Sequence, residues 1–121
     1  MAIDLRYTRR HRALRAELEA SGHHFTSDHS DTEVLVQGYK AWGEGLFVRL
    51  NGMFACAIYD RHRKRLVLAR DRFGEKPLFY AHVTGGLAFA SELTALAKHP
   101  RVDRSLDGLS LQKFLAHGYI P

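Results

Sequence analysis

Leu50-Asn51-Gly52-Met53-Phe54-Ala55-Cys56-Ala57-Ile58-Tyr59-Asp60 decides the fold, together with Ala69-Arg70-Asp71-Arg72-Phe73-Gly74-Glu75-Lys76-Pro77-Leu78-Phe79-Tyr80 just beyond it. Met53 to Tyr59 is apolar at both alternating sets of positions, which predicts a strand covered on both faces. Asp60 to Arg65 reads as a charged turn. Leu66 to Arg70 returns as a second strand and closes a hairpin. Arg72 to Pro77 is a loop around Gly74, after which Leu78 to Val83 and Leu87 to Ala90 are further strands separated by Thr84-Gly85-Gly86. The expected sheet is a four-stranded antiparallel meander.

Upstream, the period changes to that of helices. His11 to Ala20 places Leu14 and Leu18 on one face, with Gly22 positioned to end the helix. Ser30-Asp31-Thr32-Glu33 has the form of a capping box, in which Ser30 and Glu33 satisfy each other's free backbone donors. The helix it opens sets Val34, Leu35, Gly38 and Trp42 on one side and closes at Gly43. Downstream, Ser91 is the expected N-cap of a short helix reaching about Lys98, and a last helix spans Asp107 to His117 with Gly118 as its stop. The fold class is therefore α+β, an antiparallel sheet with flanking helices. The second sheet face also reads as apolar, more than the chain can cover, which implies a piece of a larger layered domain.

The chain has 121 residues, 45% hydrophobic and 26% charged. That is room for one domain with a modest core. No apolar run reaches the length of a membrane span, and no apolar segment follows the N-terminal arginines as a secretory signal would require. The sole cysteine, Cys56, excludes an internal disulfide and a cysteine-based metal cluster. A cytoplasmic protein without membrane contact is expected. The formal charge of +5 rests partly on Arg9-Arg10-His11-Arg12 and Arg61-His62-Arg63-Lys64-Arg65. Both runs flank regular elements and are read as solvated, so no nucleic-acid partner is expected.

The run from Asn51 to Tyr80, preceded by Ser30-Asp31-Thr32-Glu33-Val34 and followed by Phe89-Ala90-Ser91-Glu92-Leu93, resembles the C-terminal half of a class II glutamine amidotransferase domain. More narrowly, it resembles the glutaminase domain of glutamine-hydrolysing asparagine synthetases. Leu111-Gln112-Lys113-Phe114-Leu115-Ala116-His117-Gly118-Tyr119-Ile120-Pro121 is similar to the connector into their synthetase domain. The resemblance implies part of a four-layer αββα sandwich of the N-terminal-nucleophile hydrolase type, with residues 1–100 in the amidotransferase domain and 101–121 in the connector. In that family an N-terminal cysteine attacks the glutamine amide, activated by its own α-amino group. The ammonia passes to a domain where ATP, with Mg, activates aspartate.

The front of the family pattern is not matched. Ala2 follows Met1 where a family chain has its cysteine, but the family residues ahead of His11 are missing and Ala2 is not the equivalent position; Leu5-Arg6-Tyr7-Thr8-Arg9-Arg10 stands where an Asn-Gly segment supplies the oxyanion hole. Losing one such donor alone costs about 10²–10³ in rate. The expectation is a fragment with no catalytic residue of its own and inactive alone. Its partners would be the missing front half and the synthetase domain, and its contact with glutamine weak or none. By resemblance Asp31 receives the α-ammonium of glutamine. Read from the residues alone, it is a carboxylate in a helix's first turn, favoured there by about 0.3–1 kcal/mol. Arg70 and Asp71 read as a salt-bridged turn, while the resemblance makes theirs an interdomain loop facing the synthetase domain.

Cys56, mid-strand among apolar neighbours, is read as a small core hydrophobe. His23, His24 and His29 with Asp28 match no helical ligand spacing and are read as a solvated loop, so no metal is expected. No phosphate-cradling glycine loop is present, which assigns ATP and Mg to the absent synthetase domain and leaves this chain without a cofactor. Two other readings compete. One is a non-catalytic half-domain that docks on a partner; the other is a β-lactam-synthetase-like protein with a lost glutaminase role. An uncovered apolar face and a free sheet edge further predict marginal stability and self-association.

Overall fold

The computed structural model describes residues 3–4 and 11–120. Ala2, the segment Leu5 to Arg10 and Pro121, which carried parts of the reading above, lie outside the described residues. The chain divides into two compact units, residues 1–78 and 79–121.

In the first unit, helix α1 (His11–Ala20) buries Leu14 and Leu18, as its periodicity predicts. It ends at Gly22, whose φ of 86° suits glycine. The N–H groups of His23 and Gly22 there bond back to the Leu18 and Glu19 carbonyls at 3.0 Å each. That pair is the double bond of a Schellman close. Helix α2 (Asp31–Trp42) starts at Ser30, whose side chain accepts from the Glu33 N–H, and buries Val34, Leu35 and Gly38. A 3-10 turn (Gly43–Leu46) follows.

Strands β2 (Ala55–Asp60) and β3 (Arg65–Arg70) form the expected hairpin, in register from Ala55 opposite Arg70 to Asp60 opposite Arg65. A two-residue strand β1 (Ile3–Asp4) pairs on the other edge of β2, against Cys56 and Ala55. It is too short to leave a sequence pattern. Cys56, Ala57 and Ile58 are all buried, so β2 is covered on both faces up to Tyr59, which is exposed. At the turn, Asp60 Oδ1 accepts from the N–H groups of His62 and Arg63, both at 3.0 Å.

Two clusters hold this unit together. Leu35, Leu46, Phe54, Cys56 and Ile58 form one; Leu14, Leu18 and Val34 form the other. Trp42 and Leu50 pack against both and join them. Fully buried leucines of this kind contribute about 1.5–3 kcal/mol each.

In the second unit, β4 (Phe79–Val83) and β5 (Gly86–Ala90) make a separate two-stranded sheet. Half-buried Phe79, Ala81 and Val83 alternate with exposed Tyr80 and His82. Helix α3 (Leu93–Ala97) packs on both strands and buries Leu96. Arg101 Nη1 donates to the Thr84 carbonyl at 2.9 Å, tying the chain after α3 to the hairpin turn. Helix α4 (Gly108–His117) is capped by Asp107 and stopped by Gly118, as expected, and has no buried residue.

Three expectations are corrected. The four strands do not make one meander: three strands, β1-β2-β3, form one sheet, and β4-β5 another. Between β3 and β4, residues 71–77 form a loop fastened by the Asp71 carboxylate. Ser91 is not the N-cap of α3; Glu92 takes that position, without a side-chain bond. Only half of the capping box forms, because the Glu33 carboxylate turns to other donors.

Candidate functional site

Asp31 is the first residue of α2 and is half-buried. Its helix is started by Ser30 Oγ, which accepts from the Glu33 N–H at 3.3 Å. Both Asp31 and Glu33 lie in the first turn, where the helix dipole favours anions. Their surroundings differ sharply. Glu33 Oε1 accepts from Thr26 N–H at 2.6 Å and from Thr26 Oγ1 at 3.0 Å. Glu33 Oε2 accepts from Ser27 N–H at 2.9 Å and from the Ser27 hydroxyl. These bonds, the Ser27 hydroxyl first and the Thr26 amide next, hold the Glu33 carboxyl down to about 2 against the opposing effect of burial. Asp31 makes no side-chain hydrogen bond or ion pair among the described residues. A carboxylate left open in this way can accept an ammonium group.

The loop before α2 is fastened along its length. Gln37 Nε2, one turn beyond Glu33, donates to the His24 carbonyl at 3.0 Å. Phe25 packs against the second core cluster, with the Arg15 guanidinium 4.4 Å from its ring centre. His23, His24, Asp28 and His29 remain on this loop, and no group of three or more His, Cys, Asp or Glu able to hold a metal occurs among the described residues.

Arg70 ends β3 and Asp71 follows it, but not as the salt-bridged turn expected. Asp71 is 7% exposed. Its Oδ1 accepts from the N–H groups of Phe73 at 3.1 Å and Glu75 at 3.0 Å, and its Oδ2 from those of Lys76 at 3.0 Å and Phe54 at 3.3 Å. Burial pushes this carboxyl up, and the four amides together pull it further down, so its net shift is below the usual carboxylate range. The Arg70 guanidinium is spent on the Gly74 carbonyl, at a glycine held at φ 65°. The loop so fixed presents Phe73, 87% exposed. Asp71 thus shapes a loop and has no open lone pair for a ligand.

Cys56 lies in β2 inside the first core cluster, and burial pushes its thiol up to about 11 against one bond from the Ala69 backbone. A nucleophilic cysteine needs the opposite shift and an open approach. No helix of the described residues is long and apolar enough to cross a membrane.

Sequence reasoning missed two of these arrangements. The Glu33 clamp was signalled by Thr26-Ser27 ahead of an acid with Gln37 four residues on, one helical face. The Asp71 anchor was signalled by an aspartate three residues before a glycine, the composition of a turn closed by its own carboxylate.

The family model described as "Glutamine amidotransferase domain" matches residues 8–121. The chain is 42% identical over 105 residues to asparagine synthetase [glutamine-hydrolyzing] 3 of Bacillus subtilis, covering 87% of this chain and 17% of that protein. It is 40% identical over 108 residues to asparagine synthetase [glutamine-hydrolyzing] 1 of the same organism, again 17% of the relative's length. It is also 41% identical over 64 residues to the amidase chyE of Penicillium rubens, 53% of this chain and 10% of that one. The chain therefore spans about an eighth to a sixth of the length of the synthetases it matches.

Proposed function

This chain belongs to the glutamine amidotransferase domain family, and we propose that it is part of the glutaminase unit that supplies ammonia to an ATP-dependent asparagine synthetase. The observation that carries this is the family match across residues 8–121, with an unpartnered carboxylate, Asp31, at the start of α2. In this reading Asp31 receives the α-ammonium of glutamine. The whole domain is the four-layer αββα sandwich, to which the described α+β elements contribute a part. Residues 1–100 lie in that domain and 101–121 form the connector to the synthetase domain, in the cytoplasm.

These 121 residues do not hydrolyse glutamine by themselves. The only cysteine in them is Cys56, whose thiol is walled into the core and held protonated at neutral pH. The nucleophile and the oxyanion donors come from the remainder of the amidotransferase domain. ATP and Mg act in the synthetase domain. The Arg70–Asp71 loop, rigid and tipped by exposed Phe73, is the surface turned toward that domain. Without those partners, exposed Leu109, Leu111, Phe114 and Leu115 of α4 favour self-association.

Grafting residues 11–120 over the matching segment of the Bacillus subtilis relative tests the proposal. Asparagine formation from glutamine by the graft supports it; a folded graft that uses ammonia but never glutamine contradicts it.

A further inference from the structure

Two carboxylates stand two residues apart at the start of α2, one saturated and one open. Glu33 accepts from both the amides and the hydroxyls of Thr26 and Ser27. Asp31 takes no donor among the described residues. Thr26 and Ser27 belong to the segment that leads into Ser30 and Asp31, so whatever fixes them fixes how the chain enters the helix. Gln37 on the same flank holds His24, but by a single bond.

We propose that Glu33 is a positioning residue for Asp31: by taking the Thr26 and Ser27 donors it sets the path of the entering segment and keeps those donors from quenching the Asp31 carboxylate. This rests on the reading of Asp31 as the acceptor for the α-ammonium of glutamine. Glu33 itself touches no substrate. Because it is fully ionised across the neutral range, the clamp is permanent and does not switch.

The test measures the KM for glutamine in the grafted synthetase, with ammonia as the alternative nitrogen source. Glu33→Ala raises the KM for glutamine by about tenfold, the size expected for one lost charged hydrogen bond's worth of positioning, and leaves the use of ammonia unchanged. Glu33→Gln, which keeps one acceptor oxygen and adds donors against the other amide, falls between. Gln37→Ala loosens the same loop at one neutral bond and shifts that KM by no more than about twofold. A KM for glutamine unchanged in both Glu33 variants overturns the inference. An equal rise in Gln37→Ala and Glu33→Ala also overturns it, since loop stability alone would then be the cause. Asp31→Ala is the control. If the unaltered graft uses ammonia but never glutamine, or Asp31→Ala uses glutamine as well as it does, the reading of Asp31 falls and takes the inference with it.

Discussion

Phe54 and Asp71 are joined twice. The Asp71 N–H donates to the Phe54 carbonyl at 2.8 Å, and the Asp71 carboxylate accepts from the Phe54 N–H at 3.3 Å. The start of β2 and the end of β3 are thereby tied to the loop that follows, through one buried side chain.

Asp71→Asn keeps the size of that side chain but turns an NH₂ group toward amides that need an acceptor. Leaving buried N–H groups unpaired costs about 1–3 kcal/mol. Urea unfolding of the variant is expected to show a loss of that order. An unchanged midpoint would mean the loop is held by other contacts.

Acid should remove stability in a defined interval. A carboxyl held below its unfolded value binds fewer protons in the folded chain, so its support is present above the unfolded value and is lost as pH falls through the folded one. Glu33 is held at about 2, against about 4.3 for a free glutamate. Asp71 and Asp60 are shifted in the same direction, the latter chiefly by the Arg63 backbone and side chain. The melting temperature is expected to be level above about pH 5.5 and to fall steadily below it. Glu33→Gln should flatten that fall. An equal slope in the variant would deny Glu33 its part.

Gly38 sits where α2 meets the 3-10 turn, and a Cβ there would lie 2.7 Å from Leu46 Cδ1. Leu46 is completely buried, so its side chain shifts only against packed neighbours. Gly to Ala inside a helix normally gains about 1 kcal/mol. Overpacking costs about 1–3 kcal/mol, so the second effect should win and Gly38→Ala should destabilise the chain. A stabilised variant in thermal unfolding would show that the contact relaxes freely.

Cys56 should be silent to a thiol reagent in the folded chain at neutral pH and react at once in denaturant, because burial withholds both the thiolate and the approach. Rapid labelling of folded protein would contradict its place in the core.

Much of this was legible in the residues. Leu14 and Leu18, the Ser30 cap, the hairpin around Asp60 to Arg65 and the Gly118 stop all follow from local rules, and each is found. What was not legible depended on long-range choices. Glu33 could serve its own N-cap or the chain six and seven residues back, and only the folded loop decides for the latter. Asp71 could pair with neighbouring arginines or with amides, and the amides win because a buried carboxylate gains most from fixed donors that carry no conformational cost. The meander failed for the same reason: strand signals name strands, not their neighbours. At the site, Asp31 was chosen by resemblance to a family, since a carboxylate in a first turn looks alike whether or not it binds a ligand.

The most direct measurement compares glutamine with ammonia as nitrogen source in the grafted synthetase carrying Asp31→Asn. Removing one charge-assisted contact should raise the KM for glutamine roughly ten- to hundredfold, while asparagine formation from ammonia is unchanged. Equal use of glutamine by Asp31→Asn and unaltered grafts would contradict the account, because the one open carboxylate of α2 would then have no part in holding the substrate.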